Sequence, residues 1–500
     1  PLGSPTYDYY GADRLGANLF GNCLLALDAR TGERLWHFQT VHHDLWDYDL
    51  VSAPQLITVR KEGQKIDAVA LATKQGFMFV FDRVTGEPVW PVEEQPVPAS
   101  DVPGEEAWPT QPHPTVLPPF TRQTVTEADI SNLFLSPEEY EQWRIRISKA
   151  KKGLYTPIST TETIAMPGAV GGANWGNTAS NPDEGLVYVL SQDYPSFYKL
   201  EPTPPPLPAA FRQRIATQEA IQRGKVVFEE YCQTCHGSDL AGTANGPALL
   251  AIADRLNLQF LRQTVMYGVG RMPGIQHIEE EQISDLLALL KDKATSSGSG
   301  AGVEKDMPSG PVVASGGAPG EEALRSSGGF NMAGNDYPEG VEVPPRRYYT
   351  GYGLGYPFIL NPPWTSITAY DMNAGTIKWT RPLGEDPQAV ALGARNTGVP
   401  TGSQRNGMIV TSNGLIFSTV TNGKIYAYDA DNGNILWTGQ VPMGIASLPA
   451  MYEVKGRVYL VVNATTPQTS GWNLKEENKG KTEALPIEGA YVVFALPENK

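Results

Sequence analysis

A repeated pattern constrains the fold of this 500-residue chain more than any other feature of its sequence. In each copy a Gly follows an Asp by four residues, a Trp follows that Gly by four more, and a β-rich run precedes the Asp. A strand, a turn from Asp to Gly and a second strand that starts near Trp make a hairpin. Hairpins that recur with a buried Trp are typical of propeller blades. The copies are Asp28/Gly32/Trp36, Asp82/Gly86/Trp90, Asp371/Gly375/Trp379 and Asp429/Gly433/Trp437.

The repeat predicts a mainly β fold, a β-propeller, in which each Trp is structural and fixes one blade to the next. A fifth run, residues 489–496, matches the first strand of the repeat and breaks off at the C-terminus. The alternative is an unrelated set of hairpins, but identical spacing in the copies favours a true repeat. Cys23 lies in the first of these runs and is expected to be a small core residue.

The motif Cys232-Gln233-Thr234-Cys235-His236 indicates a different kind of domain. In a C-x-x-C-H motif the two thiols add to the vinyl groups of one porphyrin, and the adjacent His is an axial ligand of the iron. A thioredoxin-like redox pair would need a βαβ setting, and a zinc site would need a second Cys/His pair. Neither is visible in the sequence. The motif therefore predicts haem c, held by Cys232, Cys235 and His236, in an inserted all-α cytochrome c domain.

A second axial ligand is expected from a Pro/Gly-rich loop downstream of this motif. Met272 lies in Gly270-Arg271-Met272-Pro273-Gly274, 36 residues beyond His236. A Met thioether at the sixth position of the iron raises the reduction potential of the haem. Met266 is the rival ligand, and a plain core position is the other interpretation of Met272.

Changes of composition divide the chain into four parts. Propeller blades are expected at residues 1–200, a cytochrome c domain at 209–293, a flexible linker rich in Gly and Ser at 294–345, and further blades at 346–500. A stiff Pro-rich spacer, residues 202–208, precedes the cytochrome domain. Because blades resume at about residue 346, the cytochrome domain is expected to be inserted between two blades.

The charge and hydropathy of the chain exclude some functions. The net charge of −15 argues against binding to nucleic acid or to anionic membrane surfaces. Apolar runs are too short for a membrane helix, so no membrane span is expected in this chain. The chain has neither an initiating Met nor a secretory leader, and residues 1–4 are either a tag scar or native sequence.

A second group of reactive residues lies just beyond the first repeat, in His42-His43-Asp44-Leu45-Trp46-Asp47-Tyr48-Asp49. A carboxylate among aromatic rings can have a raised pKa and act as a general base, or it can bind a hard cation such as Ca²⁺. An acidic loop exposed to solvent is the alternative, and these residues alone do not decide between the three.

A propeller with these Asp-Gly-Trp hairpins and this loop resembles the PQQ-dependent quinoprotein dehydrogenases, and within them the glucose-dehydrogenase-like branch. The inserted domain is similar to that of the quinohaemoprotein relatives. The resemblance covers roughly residues 5–200 and 345–500. It rests on the loop at residues 39–49, Thr73-Lys74-Gln75-Gly76, Gly171-Gly172-Ala173-Asn174-Trp175 and Met451-Tyr452-Glu453-Val454-Lys455-Gly456.

The resemblance implies roles for four residues. Asp47 would be the catalytic base, and Lys74 would contact the quinone oxygens of PQQ. Asn174 and Trp175 would line the cofactor, with Asn174 bonded to one of its oxygen or nitrogen atoms. A surface Lys, a turn Asn and a core Trp are the alternative interpretations of Lys74, Asn174 and Trp175.

The resemblance also implies a calcium ion, with Asp47 as one of its ligands. Asp8 lies near the remaining metal-ligand region of the family, and Arg405-Asn406-Gly407 lies where the family carries small residues close to the cofactor. The family propeller has eight blades, however, and this chain shows repeats for about half of them. The N-terminal blades, with the remaining cofactor and metal contacts, are therefore expected to be missing.

The implied function is that of a periplasmic quinohaemoprotein dehydrogenase. It would oxidise a sugar or alcohol hydroxyl at PQQ and pass electrons through haem c to an external acceptor, a cytochrome or a quinone. The alternative is a non-catalytic periplasmic electron-transfer or scaffold protein, a propeller that carries a cytochrome c domain. A scaffold does not require Asp47 and Lys74 at the spacing found in the family, and their presence therefore favours the enzyme.

Overall fold

The computed structural model describes two compact units. One consists of Pro1–Pro202 with Ser315–Lys500, and the other of Thr203–Ala314. The linker predicted at 294–345 lies outside the described residues from residue 297 onward. The described residues are 1–6, 8–176, 178–203, 217–243, 248–249, 261, 264–265, 268–269, 272–273, 275, 278–296, 347–350, 357–399, 406–442, 444–445, 447–465 and 489–495.

The chain is mainly β, as the repeat predicts. Its strands are β1 (Cys23–Leu27), β2 (Arg34–Gln39), β3 (Gln55–Lys61), β4 (Gln64–Ala72), β5 (Met78–Asp82), β6 (Val92–Pro96), β7 (Thr110–Pro114), β8 (Lys151–Lys152), β9 (Thr163–Ala165), β10 (Thr178–Asn181), β11 (Leu186–Gln192), β12 (Ser196–Tyr198), β13 (Glu201–Thr203), β14 (Gly268–Val269), β15 (Met272–Pro273), β16 (Arg347–Tyr349), β17 (Thr365–Asp371), β18 (Thr376–Pro382), β19 (Met408–Val410), β20 (Leu415–Thr419), β21 (Lys424–Asp429), β22 (Ile435–Gln440), β23 (Ala450–Val454), β24 (Arg457–Thr465) and β25 (Gly489–Ala495). The α-helices are α1 (Pro137–Lys149), α2 (Gln218–Tyr231), α3 (Gln233–His236), α4 (Glu280–Ser296) and α5 (Pro387–Ala391), and 3₁₀ turns lie at Glu127–Asp129 and Pro357–Ile359.

The β unit contains a series of antiparallel sheets, which we call blades 1 to 5 in chain order. Blade 1 is β1–β2, blade 2 is β3–β4–β5, blade 3 is β10–β11–β17–β18, blade 4 is β19–β20–β21–β22 and blade 5 is β23–β24–β25. Separate apolar clusters fill the spaces between neighbouring blades; one joins Tyr188 of blade 3 to Tyr428 of blade 4. Gly489–Ala495 forms the third strand of blade 5, in line with the fifth copy of the repeat.

The insertion lies within a blade, which corrects the expectation that it lies between two blades. Strand β11 precedes the insertion and β17 follows it, yet the two pair directly, from Leu186 opposite Asp371 to Gln192 opposite Thr365. Blade 3 therefore takes two strands from each side of the insertion. The sequence pattern could not show this, because the Asp-Gly-Trp hairpin of blade 3 covers only its last two strands, β17 and β18.

The repeat Trp residues fix one blade to the next, as predicted. The indole N–H of Trp36 donates to the carbonyl of Arg83 (3.1 Å), which follows the turn Asp of blade 2. In the same way Trp90 donates to Met372 of blade 3 (3.0 Å), and Trp379 to Ala430 of blade 4 (3.0 Å). Each indole also covers the turn glycine of the next blade, so that a Cβ there would lie 3.0 Å or less from the ring.

Gly86→Ala should therefore destabilise the protein more than Gly32→Ala. Both glycines have a left-handed backbone (φ +79° and +74°), which costs any other residue about 1–2 kcal/mol. A Cβ on Gly86 would also lie 2.7 Å from the ring of Trp36, whereas Gly32 has open space around it. Overpacking adds about 1–3 kcal/mol. Urea unfolding of the two variants measures the difference, and equal losses of unfolding free energy would contradict the proposed contact.

The second unit is built on two crossing helices, α2 and α4. Thr217 caps α2 by accepting from the N–H of Ala220. The helices approach so closely at Gly224 that a Cβ there would overlap the carbonyl of Asp285. Arg223 donates two hydrogen bonds to the Asp285 carboxylate, at 2.7 and 2.9 Å, and holds this crossing. In the described ranges no helix is both long enough and apolar enough to cross a bilayer.

Candidate functional site

The loop that follows β2 owes its shape to Asp44. Its buried carboxylate accepts from the backbone N–H groups of Trp46 (2.8 Å) and Tyr48 (2.7 Å) and from the side-chain amide of Asn22 (2.9 Å). Asn22 also donates to the carbonyl of Tyr48 at 2.9 Å. Asp44 is thus a structural residue that folds the loop back on itself.

Two aromatic side chains anchor this loop in the interior. The Trp46 indole donates to the carbonyl of Thr156, and the Tyr48 hydroxyl to the carbonyl of Pro167, both at 2.8 Å. Between them Asp47 adopts a left-handed conformation (φ +62°), which Asp tolerates better than most residues. With its neighbours fixed on both sides, Asp47 has little freedom to move.

Lys74 lies between the carboxylates of Asp47 and Asp49. It occupies the connection between β4 and β5, and its ammonium donates to the backbone carbonyl of Asp47 (2.8 Å) and to Asp49 Oδ2 (2.9 Å). Its Nζ lies 3.2 Å from Asp47 Oδ2. The side chains of Lys74 and Asp47 are 6% and 13% exposed, so this ion pair is largely shielded from solvent. The structure thus brings together the two residues predicted to be catalytic.

The two carboxylates titrate in opposite directions. Burial raises the pKa of Asp47 well above its usual range; Lys74 opposes this effect, and the nearby charges of Asp8 and Asp49 add to it. Burial also raises the pKa of Asp49, but attraction to Lys74 and hydrogen bonds to its oxygens outweigh that effect and lower it to about 2. Asp47 is thus suited to exchange a proton, and Asp49 is suited to remain the counter-charge of Lys74.

Asp8 faces the same cluster. Burial, followed by repulsion from Asp44 and Asp49, raises its pKa to about 6, although its side chain remains accessible to solvent. Asp8 thus adds a further carboxyl group to the acidic surroundings of Lys74.

The segment before β10 packs directly against Lys74. The N–H of Gly172 donates to the Lys74 carbonyl (2.6 Å), and a Cβ on Gly171 would overlap the Lys74 side chain. The amide of Asn174 is buried and occupied by backbone: Nδ2 donates to the Val170 carbonyl, and Oδ1 accepts from the N–H of Trp175, both at 2.8 Å. Asn174 therefore positions the backbone of Trp175, and any bond to a cofactor would use its second amide proton.

Trp175 presents an indole that is 43% exposed, beside this buried segment. The next residue, Gly176, lies against Gly407, since a Cβ on Gly407 would be 2.7 Å from the Gly176 carbonyl. Asn406 is buried and donates to the carbonyl of Thr419 at 2.8 Å. The structure thus brings residues 406–407 next to Trp175, while Arg405 lies outside the described residues.

These residues fit a planar, anionic quinone cofactor. Trp175 offers an exposed aromatic face for stacking. The Lys74 ammonium is a positively charged donor that can form hydrogen bonds to carbonyl oxygens. The described residues fit a calcium ion less well than they fit such a cofactor. Among the described residues no group of three or more His, Cys, Asp and Glu gathers in a way that could hold a metal ion.

The C-x-x-C-H motif of the second unit forms a single helical turn. Cys232 ends α2, and the N–H groups of Cys235 and His236 bond back to its carbonyl (3.1 and 3.0 Å). Neither Cys is in a disulfide, and Cys232 and His236 are buried. Burial, followed by the neighbouring thiol of Cys235, raises the pKa of Cys232 to about 11.

Apolar side chains surround this turn, which suits a porphyrin. Val227, Phe228, Leu240 and Leu286 belong to the cluster that contains Cys232. The thiols, the imidazole and the apolar lining are the donor set and the environment that haem c requires. Met272 forms the short strand β15, which pairs with β14. Its side chain and Met266 lie outside what the structure describes.

Sequence reasoning missed several residues that shape the Asp47 loop. Asn22 comes from a distant segment, and so does Glu105, whose carboxylate lies 2.7 Å from His43 Nε2; no local pattern marks either residue. Asp49 lies in the acidic motif itself, but its contact with Lys74 becomes apparent only when the connection after β4 is placed beside the loop.

Blades 1 to 4 and the C-x-x-C-H turn lie in regions of the chain that match known protein families. Residues 1–239 and 322–460 match the PQQ family described as "Glucose/ethanol/alcohol dehydrogenase, beta-propeller domain", and the chain belongs to this family. Residues 219–290 match the family of the cbb3-type cytochrome c oxidase subunit III. Both assignments confirm the resemblance inferred from the sequence motifs.

Curated relatives include the quinate/shikimate dehydrogenase (quinone) of Acinetobacter baylyi, 27% identical over 93% of this chain and 44% of the relative. The glycerol dehydrogenase large subunit of Gluconobacter oxydans is 28% identical over 100% of this chain and 52% of the relative. This chain therefore spans about half the length of the curated relatives it matches. Among solved structures, the quinohemoprotein alcohol dehydrogenase from Comamonas testosteroni aligns with a TM-score of 0.42 at 16% identity, over 92% of this chain and 42% of that one.

Proposed function

We propose that this chain is the PQQ- and haem-binding portion of a quinohaemoprotein dehydrogenase that oxidises a sugar or alcohol hydroxyl. The observation that carries the proposal is the contact between Lys74 Nζ and the carboxylate of Asp47, at 3.2 Å in a shielded position. A buried carboxylate with a raised pKa, held beside a fixed ammonium, is suited to take a proton from a hydroxyl group.

When bound, PQQ would supply an electrophilic carbonyl that accepts hydride from the carbon bearing the hydroxyl. Asp47 would take the hydroxyl proton, so that the substrate loses a proton and a hydride and becomes a carbonyl compound. Lys74 would exchange one of its contacts to Asp47 and Asp49 for a cofactor oxygen and stabilise the negative charge that develops there. Trp175 would stack on the cofactor plane, and Asn174 would hold Trp175 in place.

The haem unit would carry the electrons onward, one at a time, to an external acceptor such as a cytochrome or a quinone. The motif at Cys232–His236 supports this role, because C-x-x-C-H attaches haem covalently. A calcium ion at Asp47 remains a prediction from the family resemblance, and so does a periplasmic location, which is where c-type haem is attached in bacteria.

The proposal is tested by the visible spectrum of chain that has been matured with a c-type haem system and supplied with PQQ and Ca²⁺. A panel of sugars and alcohols is then added. Reduced-haem bands that appear with a particular substrate, and only when PQQ is present, are the expected result. Haem that dithionite reduces but no substrate does, in a chain shown by equilibrium dialysis to bind PQQ, would contradict the proposed dehydrogenase function.

Met272→Ala should leave haem attached but change its axial ligation and lower its reduction potential. The covalent link depends on Cys232 and Cys235, whereas the potential depends on the sixth ligand. Redox titration and the spectrum of the oxidised haem measure both effects, and Met266→Ala is the matched control. An unchanged spectrum in Met272→Ala together with a changed one in Met266→Ala would assign the ligand to Met266.

A further inference from the structure

His43 and Glu105 form a buried hydrogen-bonded pair at the start of the loop at residues 42–49, which we call the catalytic loop. His43 Nε2 lies 2.7 Å from Glu105 Oε1, and the two side chains are 0% and 2% exposed. His43 Nδ1 lies 2.9 Å from the carbonyl of Gly16, and the His43 backbone N–H donates to the carbonyl of Ala17 at 3.2 Å. Neither residue touches the candidate cofactor site through any contact described above.

The partners of this imidazole determine how many protons the pair holds. A carbonyl oxygen only accepts, so Nδ1 carries a proton. Nε2 faces a carboxylate oxygen, and that contact is a hydrogen bond only if the proton lies either on Nε2 or on Glu105 Oε1. In both cases the pair holds one proton more than a neutral imidazole beside a carboxylate. The buried pair therefore has no net charge, which is how such groups avoid a large desolvation cost.

The pair joins three separate segments of the chain. The second oxygen of Glu105 accepts from the backbone N–H of Gly11. His43 connects the segment at residues 16–17 to the catalytic loop, and its own backbone is left-handed (φ +45°). Arg14, in the same segment, donates to the carbonyl of Asp44 at 2.6 Å. The Asp44 carboxylate shapes the part of the loop that contains Asp47. His43 and Glu105 therefore fix the start of the same loop in which Asp47, the proposed base, lies.

We propose that His43 and Glu105 are a positioning pair, whose hydrogen bonds lock the catalytic loop so that Asp47 is held beside Lys74. The expected effect on activity rests on the proposed function, because the pair would act by placing Asp47, the proposed base. It does not make either residue a catalytic group, because the pair acts through Asp44 and the loop backbone.

The neighbouring pair His42–Glu94 provides a comparison within the same loop. His42 also has oxygen on both sides, with Nδ1 2.6 Å from Gln39 Oε1 and Nε2 2.9 Å from Glu94 Oε1. Its partner is at the surface, with 49% of the Glu94 side chain exposed. An exposed pair contributes little because water replaces either partner. Each pair joins a His of the loop to a Glu, and of the two pairs only His43–Glu105 is buried.

Three variants test the proposal in chain loaded with haem, PQQ and Ca²⁺. In Glu105→Gln, the amide can donate to a neutral His43 and accept from Gly11, so every hydrogen bond is kept and kcat should stay within about threefold of the original. Glu105→Ala breaks the pair and should lower kcat by about 10–100-fold, with KM changed by less than about threefold, because the base is displaced rather than the substrate site. Glu94→Gln is the control and should behave like the original chain.

A second measurement reports on the pair without any turnover. With ¹⁵N-labelled histidine, the His43 ring should show a slowly exchanging Nδ1 proton, together with a second proton shared across the contact to Glu105. In Glu105→Gln the Nε2 resonance should shift to that of an unprotonated nitrogen. Full activity in a folded Glu105→Ala, or losses in Glu105→Gln as large as those in Glu105→Ala, would overturn the positioning role. Original chain that shows the proton resonances but no PQQ-dependent oxidation would contradict the proposed function instead.

Discussion

Asp47→Asn should lower the rate of substrate oxidation by about 10²–10⁴-fold, because the amide cannot take the hydroxyl proton. The variant keeps the shape of the side chain and an oxygen that can accept a hydrogen bond from Lys74. PQQ binding and the haem spectrum should therefore be unchanged. Because burial raises the pKa of Asp47, the activity of the original chain should rise with pH through the range in which this carboxyl loses its proton. Substrate-driven haem reduction, followed across pH, measures both effects.

The matched control for this variant is Asp67→Asn. Asp67 also pairs with a cation, Arg83 (2.9 Å), but its side chain is 53% exposed, and surface pairs contribute about 0–1 kcal/mol. Activity should be retained there. If Asp47→Asn oxidised substrate as fast as Asp67→Asn does, Asp47 would be removed from the mechanism.

Replacement of both Cys232 and Cys235 by Ser should abolish covalent haem attachment, because no thiol remains to add to the porphyrin vinyl groups. Denaturing gels stained for haem measure the loss. The β unit and its Asp47–Lys74 cluster contain neither residue, so PQQ-dependent reduction of an added dye by substrate should persist within about threefold. Substrate oxidation should thus be separated from electron delivery to haem.

The remaining cysteine provides the control for this double variant. Cys23 is buried in β1, and its thiol donates to the carbonyl of Gly21 at 3.4 Å, a contact that a Ser hydroxyl can also make. Cys23→Ser should retain the full haem content. Haem that stayed covalently bound in the double variant would show that the C-x-x-C-H motif is not its attachment site.

The features that the sequence predicts correctly are those with local causes. A turn from Asp to Gly is specified by its own residues: Asp28 accepts from the N–H groups of Arg30 and Thr31, and Gly32 closes the turn with a left-handed backbone. The order of the blades follows from similarly short motifs. Asp47 and Lys74 were identified through the family resemblance, and the structure places them in contact.

The features that the sequence does not predict depend on segments far apart in the chain. The pairing of β11 with β17 has no mark in either strand, since both strands are buried almost throughout and neither contains a local pattern that identifies its partner. Asn174 is another example. Its motif suggested a cofactor contact, but the bonds that its side chain makes are to backbone atoms, and these become visible only once the chain is folded.

The position of the insertion within blade 3 also sets an order for folding. Strand β11 has no partner on one side until β17 has been synthesised, and residues 193–364 lie between them. Closing so long a loop slows the pairing, even though the entropy cost grows only slowly with length. Blade 3 is therefore complete only after the whole insertion has been synthesised, and a chain cut within the insertion has to rebuild this blade from two separate pieces.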